Sequence, residues 1–502
     1  MLGRTMTWGA LLLATSLTPA WAQDDTAVTI VLNEEVDVLE PCMATRSNIG
    51  RVILGNVNET LTELDVRGDG GLMPRLAESW EQREDGSWRF NLRQGVTFSD
   101  GTAFDAQDVK HSFDRVFDPT ITCESARYFG GMTVTANVVD DHTIDFVVDP
   151  VQPILPLLLS LVTIVPAETP IEFVRDPVGT GPYAVTEWSP GQQIVLTRRD
   201  GYWGAAPAVT QATYVVRTDP AVRAAMVEAG EADIAPTISQ DDATNPATDF
   251  PYLNSETVYL RLDASQAPVS DIRVRRAINM AIDREAFIGT LVPQDALLAT
   301  AIYPPTTQGW NPDVPVPAYD PEGAKALLEE ARADGVAVDT PITILARTAN
   351  FPNVTEVMEA IQQMMQEAGF TVELQMVEVA EHEVYYSKPY PTDRGAYIIA
   401  AMHDNRMGDP SFSAYFKYHS EGRQSGISDP KADDLITRAS AATGEERAQL
   451  WSELQAYVHD EVAADVLLFH MVGFARVAES IDWTPTIATN SQLQLSEIGF
   501  RN

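Results

Sequence analysis

The sequence predicts an α/β protein of about three domains, with a β-rich first half and a doubly wound α/β second half. Its 502 residues correspond to about three domains at roughly 150 residues each. Residues 79–93 alternate apolar and polar side chains around an Asp-Gly turn, which is typical of a β-hairpin. In the second half, strand 341–347, helix 353–367 and strand 371–378 form a βαβ pattern. Such a unit predicts parallel strands joined by a right-handed crossover.

The remaining elements of the first half are two more hairpins and one helix. Hairpin patterns cover residues 134–148 and 183–199. Between the first two hairpins, Asp105 is the predicted N-cap of a helix that runs to about Phe117, since its carboxylate can accept from free backbone N–H groups. Few helices are therefore expected before residue 260.

Helices dominate the second half, and a short apolar strand interrupts them at 396–402. The helix that begins at Asp320-Pro321 is expected to stop at Gly335, because Pro favours the first turn and Gly the residue after the last. Predicted N-caps in this half are Ser270, Asp320, Asp429 and Thr443.

The first 22 residues have the features of a cleavable signal peptide. Arg4 precedes an apolar run at 8–17, and an A-x-A motif predicts cleavage after Ala22. No twin Arg or Cys accompanies the motif, so no lipid anchor is expected. The apolar run at 154–165 is too short to cross a bilayer. We therefore expect export to the bacterial periplasm without a membrane anchor.

Charge and cysteine content agree with an exported protein that does not bind nucleic acid. The chain has 72 acidic and 34 basic side chains, a net charge of −38. Such an excess repels phosphate backbones and anionic lipid surfaces. Export favours a disulfide between Cys42 and Cys123, although sequence alone leaves two buried thiols as the alternative.

Catalytic and cofactor motifs are missing from the sequence. Residues 179–184 match a dinucleotide fingerprint superficially, but Pro182 leads into a predicted strand rather than a helix N-terminus. The chain has no P-loop, no G-x-S-x-G and no H-E-x-x-H, and its 7 His residues have no metal-ligand spacing. We therefore predict a non-enzyme without cofactor or bound metal.

Candidate binding residues follow three predicted strands. In α/β sheets, ligands bind beyond the carboxyl ends of parallel strands. The polar segments 42–46, 347–353 and 403–409 occupy such positions. Two lobes that face each other with these segments would enclose a cleft that closes by hinge motion.

Several short blocks follow one another along the chain. They are LAESW (76–80), NLRQGVTF with DG (91–101), AQDV (106–109), VGTGPY (178–183), YWG (202–204), VRRA with AIDR (274–284) and YDP (319–321). Together these blocks resemble the signature of family 5 extracellular solute-binding proteins, the peptide, opine and nickel receptors of ABC importers. The resemblance covers essentially the whole mature chain in order.

The resemblance implies a two-lobed periplasmic binding protein fold of type II, with doubly wound lobes and an extra β-rich inserted domain. It also implies a monomer that closes on a small-molecule or peptide ligand and delivers it to permease subunits and their ATPases. The implied organisation is a signal peptide at 1–22, lobe 1 at 23–55, 175–260 and 475–502, the inserted domain at 56–174, and lobe 2 at 261–474.

The ligand-binding motif departs from that of the peptide-binding relatives. There, a segment resembling W-x-x-D-x-x-D-P supplies an Asp for the peptide amine. Residues 403–410 read HDNRMGDP. At the aligned positions, Arg406 replaces the Asp and His403 replaces the Trp. If the alignment is shifted by two residues, Asp404 could bind the peptide amine instead. A buried Arg406 would favour carboxylate or phosphate groups; the alternative is that it points into solvent.

Five more residues are candidates for the site. Arg347, Thr348 and Asn350 resemble a family loop in which an Arg meets a ligand carboxylate, but here Thr348 holds the aligned position. Arg347 could instead pair with a neighbouring Glu. Arg46 follows the first strand, and Tyr385 could form an aromatic wall or lie on the surface.

We therefore expect a peptide or peptide-like solute, with an anionic opine or sugar phosphate as the first alternative. A nickel chelate is the second alternative, since only His403 offers itself as a ligand. An alternative function of another class is that of a secreted hydrolase. A hydrolase would need a nucleophile and a base within reach of each other, and the sequence indicates neither.

Overall fold

The computed structural model describes residues 26–68, 71–129, 132–348 and 350–501. The predicted signal peptide, residues 1–22, lies outside these ranges. Within them, no helix combines the length and the apolar character needed to cross a membrane.

Strands outnumber helices up to residue 262. The elements are β1 (Ala27–Leu32), α1 (Ser47–Ile53), β2 (Thr62–Leu64), β3 (Leu72–Pro74), β4 (Ala77–Gln82), β5 (Trp88–Leu92), α2 (Ala106–Val116), β6 (Thr133–Asp140), β7 (Thr143–Asp149), α3 (Leu155–Leu158), β8 (Tyr183–Ser189), β9 (Gln193–Arg198), β10 (Gln211–Val216), α4 (Pro220–Glu228), β11 (Ile234–Ile238) and β12 (Asp249–Leu262). Short 3₁₀ turns cover Pro41–Met43, Ser125–Phe129 and Leu159–Leu161.

Helices outnumber strands in the second half. The elements are α5 (Ile272–Ala281), β13 (Leu297–Leu298), α6 (Pro321–Ala333), β14 (Ile342–Arg347), α7 (Val354–Glu367), β15 (Val372–Val377), α8 (Val379–Tyr386), β16 (Ala396–Asp404), α9 (Ser411–Tyr418), α10 (Pro430–Ala441), α11 (Gly444–Ala456), β17 (Asp465–Val477), β18 (Ile481–Asp482) and β19 (Gly499–Phe500). Further short helices are Glu285–Phe287, Tyr457–Val462 and Leu495–Glu497.

The predicted hairpins and βαβ unit are confirmed. Strands β4–β5, β6–β7 and β8–β9 pair antiparallel, and β14 pairs parallel with β15 across α7. One predicted cap is wrong: α5 is capped by Asp271, whose carboxylate accepts from the Arg273 N–H, and not by Ser270. Thr443 is the N-cap of α11, but its side chain makes no capping hydrogen bond.

The second lobe, β14–β16 with helices α5–α11, is doubly wound as predicted. Alternate residues of a strand point to opposite faces of a sheet. Ile344 and Ile398 pack in one apolar core with α5, α6 and α7, while Leu345 and Ile399 pack in another with α9, α10 and α11. Helices therefore cover both faces, which explains the buried apolar runs 344–346 of β14 and 398–401 of β16.

The first lobe contains β1 and β8–β11, and it shares one apolar core with the inserted domain. Within that domain, strands β4–β7 form a four-stranded sheet in the order β4-β5-β7-β6. Phe90, Phe113 and Phe146 of this domain belong to the same core as Ile30 of β1. The inserted domain is thus packed against the first lobe as one unit.

Strands β12 and β17, of 14 and 13 residues, connect the two lobes. At the end that belongs to the first lobe, β17 pairs with β12 on one side and, at 474–477, with β11 on the other. At the other end β12 pairs with β16 from Glu256 to Leu262. The β12–β17 register shifts between Leu253 and Thr257, within a sheet that runs from β15 through β12 and β17 to β8 and so is shared by the two lobes. The domain boundaries near 260 and 474 stay predictions.

Two cross-links join the segment after β1 to the inserted domain. Cys42 and Cys123 form a disulfide with an S–S distance of 2.07 Å. Beside it, Arg115 Nη1 lies 2.6 Å from Glu40 Oε1 and Arg115 Nη2 lies 3.0 Å from Glu40 Oε2, both side chains being fully buried. A bidentate pair of this kind fixes geometry as well as contributing energy.

We predict that the Cys42→Ala/Cys123→Ala protein loses about 4 kcal/mol of unfolding free energy, because the disulfide closes a loop of 81 residues in the unfolded chain. Urea unfolding with and without reductant measures the loss. Reductant should destabilise the natural protein and leave the double variant unchanged. Two reactive thiols in unfolded, unreduced protein would contradict the prediction.

Candidate functional site

The candidate site lies where β16 ends beside β12, close to the crossing between the lobes. Asp404 is the last residue of β16, and Glu256 of β12 is its direct partner in the antiparallel ladder. Directly opposite residues of such a pair project from the same face with their Cβ atoms about 5 Å apart. The register therefore places two carboxylates side by side.

Neither of these two carboxylates forms an ion pair with a basic side chain among the described residues. Burial raises the pKa of Glu256 to about 7, and the charge of Asp404 acts in the same direction. Glu256 accepts a hydrogen bond from Asn254 Nδ2 at 3.3 Å. Asp404 Oδ1 is buried and has no hydrogen-bond partner within the described residues. A cation placed here would relieve both the repulsion and the unpaired oxygen.

Two arginines also lower the pKa of Glu256, and only one of them donates side-chain hydrogen bonds to other protein groups. Arg51 and Arg347 both lower the pKa of Glu256. Arg51 Nε donates to Thr489 O at 3.0 Å, Nη1 to Asn33 Oδ1 at 2.9 Å and Nη2 to Asn490 Oδ1 at 3.3 Å. The half-buried guanidinium of Arg347 has no hydrogen bond or ion pair within the described residues. Arg347 is therefore free to meet an anionic group.

Arg406 is buried, with 8% of its surface exposed, so the alternative that it points into solvent is wrong. Its Nη1 donates to Ser491 Oγ at 2.7 Å. Its Nη2 is buried and, among the described residues, has no partner. The next residue, Met407, belongs to the apolar core of the first lobe. The loop after β16 thus reaches across to the first lobe and to the C-terminal segment.

The strand pleat directs His403 away from Asp404. His403 Nε2 lies 2.7 Å from Ser413 Oγ, and its ring stacks on Phe412 at 5.8 Å. Burial lowers its pKa well below the usual value, so the ring is neutral. This orientation follows from the period of two in a strand, since neighbouring residues face opposite sides. The role of His403 in ligand binding stays a prediction.

Other predicted residues have protein partners. Arg46 pairs with Asp37 at 3.2 Å on the surface. Thr348 Oγ1 donates to Glu378 Oε1 at 3.0 Å, and the Tyr385 ring lies 4.7 Å from that of Tyr397. The role of these three residues in ligand binding stays a prediction. Asn350 is half-buried just after β14, and its role stays a prediction.

The sequence alone did not indicate Glu256, Arg51 or Asn490 as site residues. One signal was present for Glu256, because Asn254, Ser255 and Glu256 form a polar run in the middle of a long strand. Nothing local marks the other two, which reach Glu256 from α1 and from the C-terminal segment.

A buried ion pair holds the loop that carries Arg406. Arg447 of α11 donates to both carboxylate oxygens of Asp409 at 2.8 Å, with exposures of 2% and 3%. Its Nη1 also donates to the carbonyls of Ala439 and Ser440 at 2.7 and 3.0 Å. Asn405 Nδ2 donates to the Asp409 carbonyl at 3.0 Å. These bonds satisfy the buried charges and fix residues 405–409 against the second lobe.

Two lobes joined by two strands, with unpaired charged groups between them, define a bilobal solute-binding protein. The model of the bacterial extracellular solute-binding proteins, family 5 (middle), matches residues 71–425, and the chain belongs to this family. The site has the features of a binding site, and the family consists of binding proteins.

Individual relatives are similar to this chain over most of its length. The dipeptide-binding protein of Escherichia coli is 28% identical over 82% of this chain and 84% of its own. A dipeptide-binding protein from Pseudoalteromonas, solved with Met-Leu, has a TM-score of 0.78 at 21% identity, covering 95% of this chain and 100% of its own. The binding protein AgaA of A. tumefacien, solved with agropinic acid, has a TM-score of 0.76 at 22% identity over 95% and 99%.

We predict that Arg447→Met lowers the unfolding free energy by about 3–5 kcal/mol, because it leaves the Asp409 carboxylate buried and unpaired. The matched control is Arg438→Met, which removes an exposed pair with Asp434 whose side chains are 54% and 61% exposed and should cost about 0.5 kcal/mol or less. Denaturant unfolding of the two variants measures the difference. Equal losses would contradict the structural role of the buried pair.

Proposed function

We propose that this chain is the periplasmic receptor of an ABC importer and that it captures a short peptide with a free amino terminus. The observation that carries the proposal is the Glu256–Asp404 pair, two neighbouring carboxylates with a buried oxygen left unpaired. A peptide ammonium supplies the missing positive charge and donors. The names of the E. coli and Pseudoalteromonas relatives support this ligand class.

Arg347 would bind the carboxylate at the other end of the peptide. Its guanidinium lowers the pKa of Glu256 through its charge, and it lacks a protein partner within the described part of the chain. Arginine binds a carboxylate through two parallel N–H groups. A zwitterionic ligand would thus lie with its amine at Asp404 and Glu256 and its carboxylate towards Arg347.

Closure of the lobes would retain the ligand for delivery to the permease subunits and their ATPases. A ligand shifts an open–closed equilibrium only by binding the closed state more tightly. Asp404 and Arg347 come from the second lobe, while Arg51 and Asn490 reach Glu256 from the side of the first lobe. A ligand that touches both sets of residues therefore favours closure, and no covalent step is needed.

The acidic pair gives the first test. Asp404→Asn and Glu256→Gln should each weaken dipeptide binding by about 10- to 100-fold, the range expected for a lost charge-assisted hydrogen bond. Titration calorimetry with a free and an N-acetylated dipeptide measures this, and the exposed Asp434→Asn is the matched control. Equal binding of the acetylated peptide would contradict the proposal.

The raised pKa of Glu256 predicts a pH dependence with a defined sign. Its folded-state pKa of about 7 lies above the usual 4.5, so the ligand-free fold loses stability from this group as pH rises from 4.5 to 7. Ammonium binding needs the ionised carboxylate. Peptide affinity should therefore rise about tenfold per pH unit between pH 5.5 and 7. Calorimetry in buffers of different ionisation enthalpy should detect proton release, and Glu256→Gln should abolish both effects.

An anionic solute is the second candidate, and the unpaired Nη2 of buried Arg406 favours it. The AgaA structure with agropinic acid supports this class within the fold. A thermal-shift screen with dipeptides, opines and sugar phosphates separates the candidates, since a ligand at 100 times its Kd adds about 2.7 kcal/mol. Stabilisation by opines or sugar phosphates alone, lost in Arg406→Gln, would replace the peptide proposal.

The nickel alternative has no side-chain support in the described ranges. No group of three His, Cys, Asp or Glu side chains there is placed to hold a metal ion. His403, its only candidate ligand, is turned towards Ser413.

A further inference from the structure

Ser413, the third residue of α9, is fully buried, and its hydroxyl contacts both chain neighbours of Asp404. His403 Nε2 lies 2.7 Å from Ser413 Oγ, and Asn405 Nδ2 donates to the same oxygen at 2.7 Å. Alternate residues of a strand point to one face, so His403 and Asn405 both reach α9 while Asp404 between them faces the other way. One hydroxyl therefore holds the chain on both sides of the carboxylate.

Asn405 also fixes the end of β16 against β12. Its side-chain amide donates a second hydrogen bond to the Asp409 carbonyl at 3.0 Å, and its backbone N–H donates to the Ser255 carbonyl at 3.0 Å. Ser255 immediately precedes Glu256 in the chain. The residue that follows Asp404 is thus bound to the residue that precedes Glu256, which keeps the two carboxylates opposite each other.

These hydrogen bonds lie inside the protein, away from water. His403 and Asn405 are both buried, and the His403 ring stacks at 5.8 Å on Phe412, which lies in the same helix as Ser413. Losing a partner in such a place leaves a buried polar atom unpaired, which costs more free energy than the same loss at the surface. The Ser413 hydroxyl therefore constrains the main chain around Asp404 more strongly than an exposed hydroxyl would.

We propose that Ser413 is a positioning residue of the ligand site, whose hydroxyl holds Asp404 in the orientation that receives the ligand ammonium together with Glu256. The inference rests on the proposed function, because that function assigns the ammonium to this pair of carboxylates. Ser413 is fully buried and acts through its two bonded neighbours. A binding group must be held within about 0.5 Å of its productive position, so a freed main chain would weaken the ammonium contact without removing any charge.

The first test compares Ser413→Ala with the natural protein on Met-Leu, the dipeptide solved with the Pseudoalteromonas relative, and on N-acetyl-Met-Leu. Removing the hydroxyl should weaken Met-Leu binding by about 3- to 10-fold, the range expected for one neutral hydrogen bond. The acetylated peptide has no ammonium, so its weaker binding should stay unchanged. Titration calorimetry measures both affinities. An equal loss for the two peptides would overturn the inference.

A thermodynamic cycle with Asp404→Asn tests whether Ser413 acts through this carboxylate. The Asp404→Asn protein has already lost the charged contact to the ammonium. Adding Ser413→Ala to it should therefore not weaken Met-Leu binding further, because two changes that act through one contact are not additive. Full additivity of the two losses would contradict a positioning role.

Two further variants separate positioning from folding. Ser425 is another buried serine of the second lobe, and its Oγ donates to the Ile427 carbonyl at 2.9 Å. Ser425→Ala is the matched control, which should lower the unfolding free energy as Ser413→Ala does but leave both affinities unchanged. Asn405→Ala removes the other side-chain donor to Ser413 Oγ and should reduce the preference for Met-Leu in the same way. It supplies the same test if Ser413→Ala does not fold.

The outcomes distinguish this inference from the proposed function. If the natural protein prefers Met-Leu to its acetylated form and Ser413→Ala keeps that preference in full, the positioning role is overturned and the peptide receptor stands. If the natural protein binds no dipeptide, or binds the free and acetylated forms equally, the proposed function is overturned and this inference with it.

Discussion

The pairing of β12 with β17 is the constraint on which the arrangement of this molecule depends. Each strand contributes to the sheet of the first lobe at one end and to the second lobe at the other. The register shift between Leu253 and Thr257 marks where the ladder changes. Glu256 lies within this shift, so the acidic side chain is held where the lobes meet.

The binding site is built from charges that the fold leaves incompletely paired. Burying Glu256 opposite Asp404 costs electrostatic free energy, because desolvation and like charge both oppose ionisation. Arg51 recovers part of this cost, but its donors are occupied by Asn33, Thr489 and Asn490. The fold thus keeps two acidic side chains without an ion-pair partner among the described residues, and the proposed ligand ammonium would supply one. This arrangement fits a family of solute-binding proteins.

One short segment joins the second lobe to the first. The chain from Asp404 to Phe412 begins with a carboxylate and continues through Arg406, whose guanidinium contacts Ser491. The Asp409–Arg447 pair holds its middle. The segment is tied to α11 on one side and packed into the first lobe through Met407 on the other, so a ligand bound at Asp404 would lie next to the interface between the lobes.

The sequence by itself determined the hairpins, the βαβ unit and most helix starts, because turn residues, alternation and capping carboxylates act within a few residues of chain. The family blocks likewise determined the class of receptor. Only the tertiary structure decided which charged residues share the site. Glu256 meets Asp404 through strand register, His403 is turned away by the pleat, and Arg406 is buried by a contact with Ser491. These contacts join residues far apart in the chain, and a single sequence contains no local signal for pairs that form only when strands from distant segments align.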